Sequence, residues 1–369
     1  ATWEHGDLAQ RRAMLTRIRR YTPDTARDWL AATWKSEKAD SRLAFLGVLE
    51  QRLSPADEPF LKEAMTDRSE KVRARATELL LQLPTSALHA RLLSIADACL
   101  SFKPRQDTWQ SRIRALGKVQ RQGGLEVQLP EEDGFDWGLA GIHEKSPGHD
   151  AASRHAWYLE RVLSLVSPAH WSDRFDVEPA DLIGAAESSD WSGPLLRAWT
   201  SAATRHHVED WIGPLWHWWS GTLLRPGQES GAGPLLDALF RALPSDTAEA
   251  EVIRLLHSSD ATAVQFAIDV LGNLPAPWTP AIGAAYVQAL KSLVRNLPRT
   301  SQPMLEPREM SFYQSIPMAA YRLPHTCFNL VPQAWDIPEV PALLPWRRLL
   351  YRLSESILIR RFLRHELTS

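Results

Sequence analysis

Asp190-Trp191-Ser192-Gly193-Pro194-Leu195-Leu196 begins a segment that the chain repeats. Asp210-Trp211-Ile212-Gly213-Pro214-Leu215-Trp216 follows 20 residues later, and Gly233-Pro234-Leu235-Leu236 follows after another 20. One helix and one turn take up about 20 residues, so two such units match the roughly 40-residue period of helix-pair repeat proteins. Proline in the first turn of a helix costs few hydrogen bonds. We therefore expect each Gly-Pro to lie at the start of a helix in a stacked array.

A segment near the N-terminus, Asp67–Leu83, indicates the same kind of architecture. Val72, Ala76, Leu80 and Leu83 share one helical face, and the small alanine lets a neighbouring helix approach closely. The order Asp, Val-Arg, Ala, Leu resembles the second helix of a HEAT repeat. We therefore predict an all-α fold, a HEAT-like α-solenoid with a small β-hairpin insertion.

Two regions interrupt the helical pattern. Leu125, Val127 and Leu129 alternate with polar residues after Gly123-Gly124, which predicts a strand that needs a partner in a small hairpin. Residues 298–345 contain too many prolines for long helices, and a basic helix follows from about Trp346 to His365. The predicted organisation has four segments: N-terminal HEAT-like helical repeats (1–122), a short β and loop insertion (123–150), Trp-rich helical repeats (151–297), and a Pro-rich segment with the C-terminal basic helix (298–369).

The composition is that of a globular protein. Its 369 residues are 44% hydrophobic and 23% charged, which is too apolar for a disordered chain. Two cysteines, Cys99 and Cys327, cannot make a disulfide framework or a Cys-based zinc site, so we expect a reducing, cytoplasmic compartment. No apolar run is long enough to span a membrane. Because the first residue is not Met, we expect a processed or partial chain.

The charge is unevenly distributed along the chain. Residues 1–125 have 22 Lys and Arg against 15 Asp and Glu, a net +7; residues 126–280 have 9 against 23, a net −14; residues 281–369 have 11 against 6, a net +5. The three sum to −2. A basic–acidic–basic chain can dock its own ends on its middle, or offer an acidic centre to a cationic partner. Solvated faces with a drifting composition would give the same numbers.

No pattern indicates catalysis. His143, His149 and His155 are six residues apart, a spacing that does not place them on one helical face, and His143-Glu144 lacks the second His of a zinc-protease helix. The sequence has no Gly-rich phosphate loop, nucleophile elbow or catalytic Cys–His spacing. We expect no metal site, no cofactor and no enzymatic activity.

The tryptophans are the first candidates for binding, since 16 of them is several times ordinary usage. Those at repeat positions are expected to pack in the core; they are Trp191, Trp199, Trp211 and Trp219. Trp216 and Trp218 fall outside the shared positions. With Trp211 they are candidate anchors for a protein partner, because Trp is a frequent interface residue.

A basic cluster is the second candidate. Arg68, Lys71, Arg73 and Arg75 are close in sequence, and HEAT-like DNA glycosylases bind nucleic acid on a basic concave face. Few aromatic residues lie among these cations, and Arg73 is also a position that HEAT repeats use structurally. The alternative function is therefore nucleic-acid binding or DNA processing.

Particular strings resemble an uncharacterised bacterial HEAT-repeat-like family. They are Leu53–Leu61, Asp67–Leu83, the stretch from His155 to Trp171, and Arg361–Glu366. Members of that family are typically encoded beside MoxR-type AAA+ ATPases, von Willebrand A proteins and SWIM zinc-finger proteins. The resemblance implies a non-catalytic helical scaffold or adaptor for protein–protein interaction, with an AAA+ ATPase or a von Willebrand A protein as its partner. It transfers no catalytic residue.

Overall fold

The computed structural model describes residues 2–103, 124–128, 142, 150–223, 233–297 and 307–368. The regular elements of these residues are helices apart from one two-stranded antiparallel sheet, which confirms an all-α fold with a small β element. None of the described helices is both long and apolar enough to cross a bilayer. The chain divides into two compact units, Ala1–His206 and His207–Ser369.

The first unit contains helices α1 to α11 and both strands. The helices are α1 (Thr2–His5), α2 (Leu8–Tyr21), α3 (Pro23–Thr33), α4 (Ala39–Leu49), α5 (Glu58–Ala64), α6 (Glu70–Leu81), α7 (Ala87–Cys99), α8 (Ala151–Leu165), α9 (Ala169–Phe175), α10 (Pro179–Glu187) and α11 (Ser192–His206). The strands are β1 (Leu100–Lys103) and β2 (Gly124–Val127).

Helices in the N-terminal part of this unit pack on their neighbours and on the next helix but one. α2 contacts α3 and α4, while α6 contacts α4 and α5. The predicted apolar face of α6 is confirmed, because Val72, Ala76, Leu80 and Leu83 are all buried. The spacing of these residues places one side chain per turn in the core between α4, α5 and α6.

The C-terminal part of the first unit comes from the start of the segment 151–297. α8 packs along α11, and α7 also contacts α8. Helices α8 to α11 lie in the first unit, and the rest of this segment lies in the second. Leu159, Val162 and Leu163 on α8 and Trp199 on α11 are fully buried.

The small sheet has its predicted strand, but the partner comes from an unexpected place. β1 pairs antiparallel with β2, with Leu100 opposite Val127 and Lys103 opposite Gly124. β1 continues directly from the end of α7 and precedes the predicted insertion 123–150. Since β2 contacts α10, its buried Leu125 lies on the face of the sheet that meets the helices.

The second unit contains the remaining helices. They are α12 (Glu209–Leu223), α13 (Gly233–Ala242), α14 (Ser245–Leu256), α15 (Ala261–Val270), α16 (Pro280–Arg295), α17 (Pro307–Arg322) and α18 (Leu344–Thr368). α12 contacts α13 and α15, α14 contacts α15 and α16, and α17 lies between α15 and α18. Short 3-10 turns at His325–Leu330 and Pro341–Leu343 connect α17 to α18.

The prolines mark helix starts less regularly than predicted. Gly-Pro falls in the first turn of α11 and of α13, as expected, but Pro214 lies inside α12, which begins at Glu209. The expectation that residues 298–345 hold no long helix is wrong, since α17 runs for 16 residues with Pro317 inside it. Pro317 is exposed, so water can take the place of the missing amide hydrogen bond, while Phe312, Ile316 and Ala319 hold the opposite face in the core.

Candidate protein interaction site

The tryptophans of α12 pack inside the second unit. Trp211 and Trp216 are only 1% and 3% exposed, and the Trp216 ring lies 5.5 Å from Phe240 and 5.8 Å from Phe266, centroid to centroid. Trp219 is buried too, so the core packing predicted for Trp211 and Trp219 is confirmed. Partner binding by Trp211, Trp216 and Trp218 stays a prediction, and of the three only Trp218 is partly exposed.

Trp218 is the least buried of the α12 tryptophans. Its side chain is partly exposed, and its ring meets that of Trp219 edge to face at 4.7 Å. An edge-to-face pair holds both rings in place. Trp191, a further repeat position, is also only partly buried, whereas Trp199 is fully buried. Three of the four tryptophans at repeat positions are therefore in the core, whereas Trp191 and Trp218, which is not at a repeat position, are only partly buried.

The basic cluster consists of Arg68, in the turn before α6, and Lys71, Arg73 and Arg75 on the helix; we call it the α6 cluster. Two of its arginines make structural contacts, and the other two residues are exposed. Arg73 donates from Nη1 to the carbonyl oxygens of Asp67 and Arg68, at 2.8 and 3.1 Å, which fixes the turn before the helix. Arg68 and Lys71 are exposed, and neither has an ion pair with another residue in the described part of the chain.

Arg75 is paired as well. It bonds to Glu50 at 2.7 Å and to Glu78 at 3.0 Å. Burial lowers the pKa of Arg75, but the hydrogen bond to Glu78 and the charge of Glu50 outweigh it, and the net shift is upward. The α6 cluster lies in the first unit and the α12 tryptophans lie in the second.

One polar cluster of the first unit joins two helices. Asp97 on α7 accepts a hydrogen bond from His170 Nε2 at 2.7 Å and forms an ion pair with Arg174 at 2.6 Å. Because His170 and Arg174 are on α9, these contacts join α7 to α9. No group of three or more His, Cys, Asp or Glu side chains with metal-binding geometry occurs in the ranges that the structure describes. His143 and His149 lie outside those ranges. Burial raises the pKa of the Cys99 thiol to about 11, so it is a poor nucleophile at neutral pH.

The C-terminal half of α18 has a feature that the sequence analysis missed. Leu350, Leu353 and Ile357 are buried, as predicted for the first half of this helix. Beyond Ile357, four large apolar side chains are about half exposed; they are Leu358 at 47%, Ile359 at 53%, Phe362 at 63% and Leu363 at 52%. Positions i, i+1, i+4 and i+5 form one stripe along a helix. We call these four residues the α18 stripe.

The sequence does contain a signal for this stripe. Apolar residues continue at helical spacing from Leu350 through Leu363. This spacing indicates an apolar face that continues beyond the part of the helix that packs in the core. The same helix is strongly basic, since Leu344–Thr368 contains six Arg against two Glu, a net charge of +4. Arg361 and Arg364 are exposed beside the stripe.

A cavity of about 630 Å³ adjoins the stripe. Its lining comes from the segment before α16, from the 3-10 turn after α17, and from α18; the residues include Trp278, Pro280, His325, Phe328, Arg360 and Leu363. Arg360 donates to the carbonyl oxygens of Ala320 and Leu323, at 2.6 and 3.0 Å, and stacks on the Phe328 ring at 4.8 Å. This arginine is therefore a wall of the cavity, and burial lowers its pKa.

The fold and these surfaces define an all-α protein of two helical units. The chain belongs to the DUF5691 family, a family of unknown function, whose model matches residues 1–367. No curated protein and no solved structure matches the chain significantly.

Proposed function

We propose that this chain is a non-catalytic helical-repeat scaffold that binds a protein partner through the α18 stripe. The observation that carries the proposal is the stripe itself. Single exposed apolar residues are ordinary, but a contiguous apolar face with charged residues around it is typical of an interaction site. Phe362 is the most exposed of the four side chains, and aromatic residues are frequent anchors of interfaces.

The partner is an acidic amphipathic segment of another protein. The net charge of +4 on Leu344–Thr368, together with the exposed Arg361 and Arg364, favours acidic side chains around an apolar contact. The cavity beside Leu363 offers room for one large apolar side chain of that segment. The family resemblance supports an AAA+ ATPase or a von Willebrand A protein as the source.

The repeat architecture is part of the same proposal. The packing of α2 on α3 and α4, and of α6 on α4 and α5, supports a HEAT-like array in which each helix meets its sequence neighbour and the next layer. Such arrays present surfaces built from many helices, and they function in proteins that position partners.

Binding of the full chain to a purified AAA+ ATPase and a purified von Willebrand A protein from the same organism, the partners that the family resemblance implies, tests the proposal. We expect Phe362→Glu to weaken binding by at least about tenfold, as for the loss of an aromatic anchor. Tyr21→Glu is the matched control, because Tyr21 is 70% exposed on the other unit and the same charge is introduced. Equal binding by both variants would overturn the proposal.

Three further readouts test other functions: two concern other occupants of the stripe, and the third concerns the basic cluster of the first unit. Self-association that Phe362→Glu abolishes would assign the stripe to a second copy of the chain. Adsorption to vesicles with anionic lipids, lost in the same variant, would assign it to a membrane surface. Salt-dependent binding of duplex DNA, lost when Arg68 and Lys71 are replaced by Gln, would favour the nucleic-acid alternative.

A further inference from the structure

A second cavity, of about 390 Å³, lies at the other end of α18. Residues of α17, of the 3-10 turn at Pro341–Leu343 and of the first turns of α18 line it; they are Tyr313, Pro341, Leu344, Pro345, Arg348, Leu349 and Arg352. The lining combines apolar side chains with two guanidinium groups. None of these described lining residues is acidic. The cavity therefore combines positive charge with an apolar wall.

The two arginines are placed to act on one group. Arg348 and Arg352 are four residues apart on α18, one helical turn, so their side chains lie on the same face. Among the described residues, neither has an ion pair or a hydrogen bond, and both are exposed. The adjacent Arg347 differs, because it pairs with Glu339 at 3.2 Å.

Tyr313 contributes to the lining from α17. Its ring meets the buried Trp346 ring edge to face, at 5.4 Å between centroids. That contact fixes the phenol relative to α18. The Tyr313 hydroxyl has no hydrogen-bond partner among the residues that the structure describes. The lining thus offers a third donor in addition to the two guanidinium groups.

We propose that this cavity, the Arg348–Arg352 pocket, binds a phosphate monoester. Two fully charged guanidinium groups match the charge of −1.5 to −2 that such a phosphate has at neutral pH, whereas a carboxylate has only −1. Arg forks also fit phosphoryl oxygens with paired hydrogen bonds. The group that bears the phosphate packs on Leu344, Pro341 and Pro345. This ligand and site are separate from the acidic segment proposed for the α18 stripe.

The phosphate monoester is either an aromatic or an aliphatic ester, and titration of the chain with one compound of each kind distinguishes them. Phenyl phosphate, glycerol 3-phosphate, inorganic phosphate and benzoate are titrated into the full chain by calorimetry. We expect both esters to bind in preference to benzoate, with saturation below about 10 mM. Tighter binding of phenyl phosphate than of glycerol 3-phosphate would assign the pocket to an aromatic source, and the reverse order to an aliphatic one.

Three variants locate the binding. Arg348→Gln and Arg352→Gln should each weaken binding of the better ester about tenfold, because each removes charge-assisted hydrogen bonds. Arg347→Gln is the matched control on the same helix, and it should change the affinity less than twofold. Circular dichroism checks that all three are folded. An equal loss of affinity in Arg347→Gln would show non-specific attraction and overturn the proposal. The proposal would also be overturned if neither ester bound saturably, or if benzoate bound as tightly as the better ester.

Discussion

Arg19 and Asp57 form an ion pair that is fully buried in the first unit. Arg19 Nη2 lies 2.6 Å from Asp57 Oδ2, and Arg19 Nη1 lies 2.9 Å from Oδ1, with both side chains 0% exposed. Arg19 also donates to the carbonyl oxygens of Leu49, Gln51 and Arg52. One guanidinium group on α2 thereby holds the turn that follows α4, where Arg52 has a positive φ of 56°.

Removing one member of this pair should be severe. Asp57→Ala leaves the Arg19 charge buried without its counter-ion, and we expect a loss of about 3–5 kcal/mol in the free energy of unfolding. Urea denaturation followed by circular dichroism measures it. Glu50→Ala, which removes a partly exposed partner of Arg75, should cost no more than about 1 kcal/mol. Similar losses in the two variants would contradict this assignment.

Trp216 should behave as a core residue. Trp216→Ala removes a side chain packed against Phe240 and Phe266, and we expect a destabilisation of about 3–5 kcal/mol from lost burial and the cavity left behind. Trp218→Ala, at a partly exposed position, should cost clearly less. Thermal denaturation of both variants is the measurement. A stable Trp216→Ala variant that loses partner binding would restore Trp216 as an interface anchor.

Gly283 on α16 marks a close approach between chain segments. A Cβ atom at this position would lie 2.9 Å from Cys327 Sγ and 2.9 Å from Pro324 Cδ. Gly283→Ala should therefore destabilise the protein by about 1–3 kcal/mol through overpacking. Gly221→Ala on α12 is the control, since nothing lies within 4 Å of its added Cβ, and it should be neutral or stabilising by up to about 1 kcal/mol. The melting temperature of Gly283→Ala should therefore be lower than that of Gly221→Ala, and the reverse order would contradict the prediction.

The Cys99 thiol should make stability depend on pH in the alkaline range. Its pKa is about 11 in the folded chain, raised from 9.0 by burial. Above about pH 9 the unfolded thiol ionises while the folded one does not, so the stability present below pH 9 falls as pH rises toward 11. Denaturation midpoints measured from pH 8 to 10 should decline less in Cys99→Ala than in the parent chain.

Thiol chemistry gives a second readout of the same burial. Cys99 and Cys327 are both buried, and burial also raises the pKa of Cys327. A thiol reagent at pH 8 should modify neither until the chain is unfolded. Rapid labelling of the native protein would show that the sites open.

The sequence predicts a helix well where the spacing of apolar residues within one segment determines it. It predicts a helix less well where packing against other helices determines whether the helix forms. Val72, Ala76 and Leu80 share a face by spacing alone, and that face is buried. Pro214 and Pro317 were misjudged because packing can outweigh the hydrogen bond that a proline removes from a helix. Propensity is a weak guide when tertiary contacts hold the element.

The candidate sites depended on contacts between distant residues. The local sequence around Arg19 is typical of an exposed basic helix. Arg19 is buried because it pairs with Asp57, which is 38 residues away in the chain. The Arg348–Arg352 pocket needs Tyr313 from another helix. The α18 stripe was visible as a pattern, but its exposure depends on where the core of the second unit ends, which the sequence does not state.

The α18 stripe also has a consequence for natural variation. Large apolar side chains in the core of a chain are retained because the fold requires them, and that reason is missing for Leu358, Ile359, Phe362 and Leu363, which are about half exposed. If a partner covers them, selection acts on recognition at these positions. Members of the family should then keep large apolar residues there while the other exposed positions of the same helix drift freely.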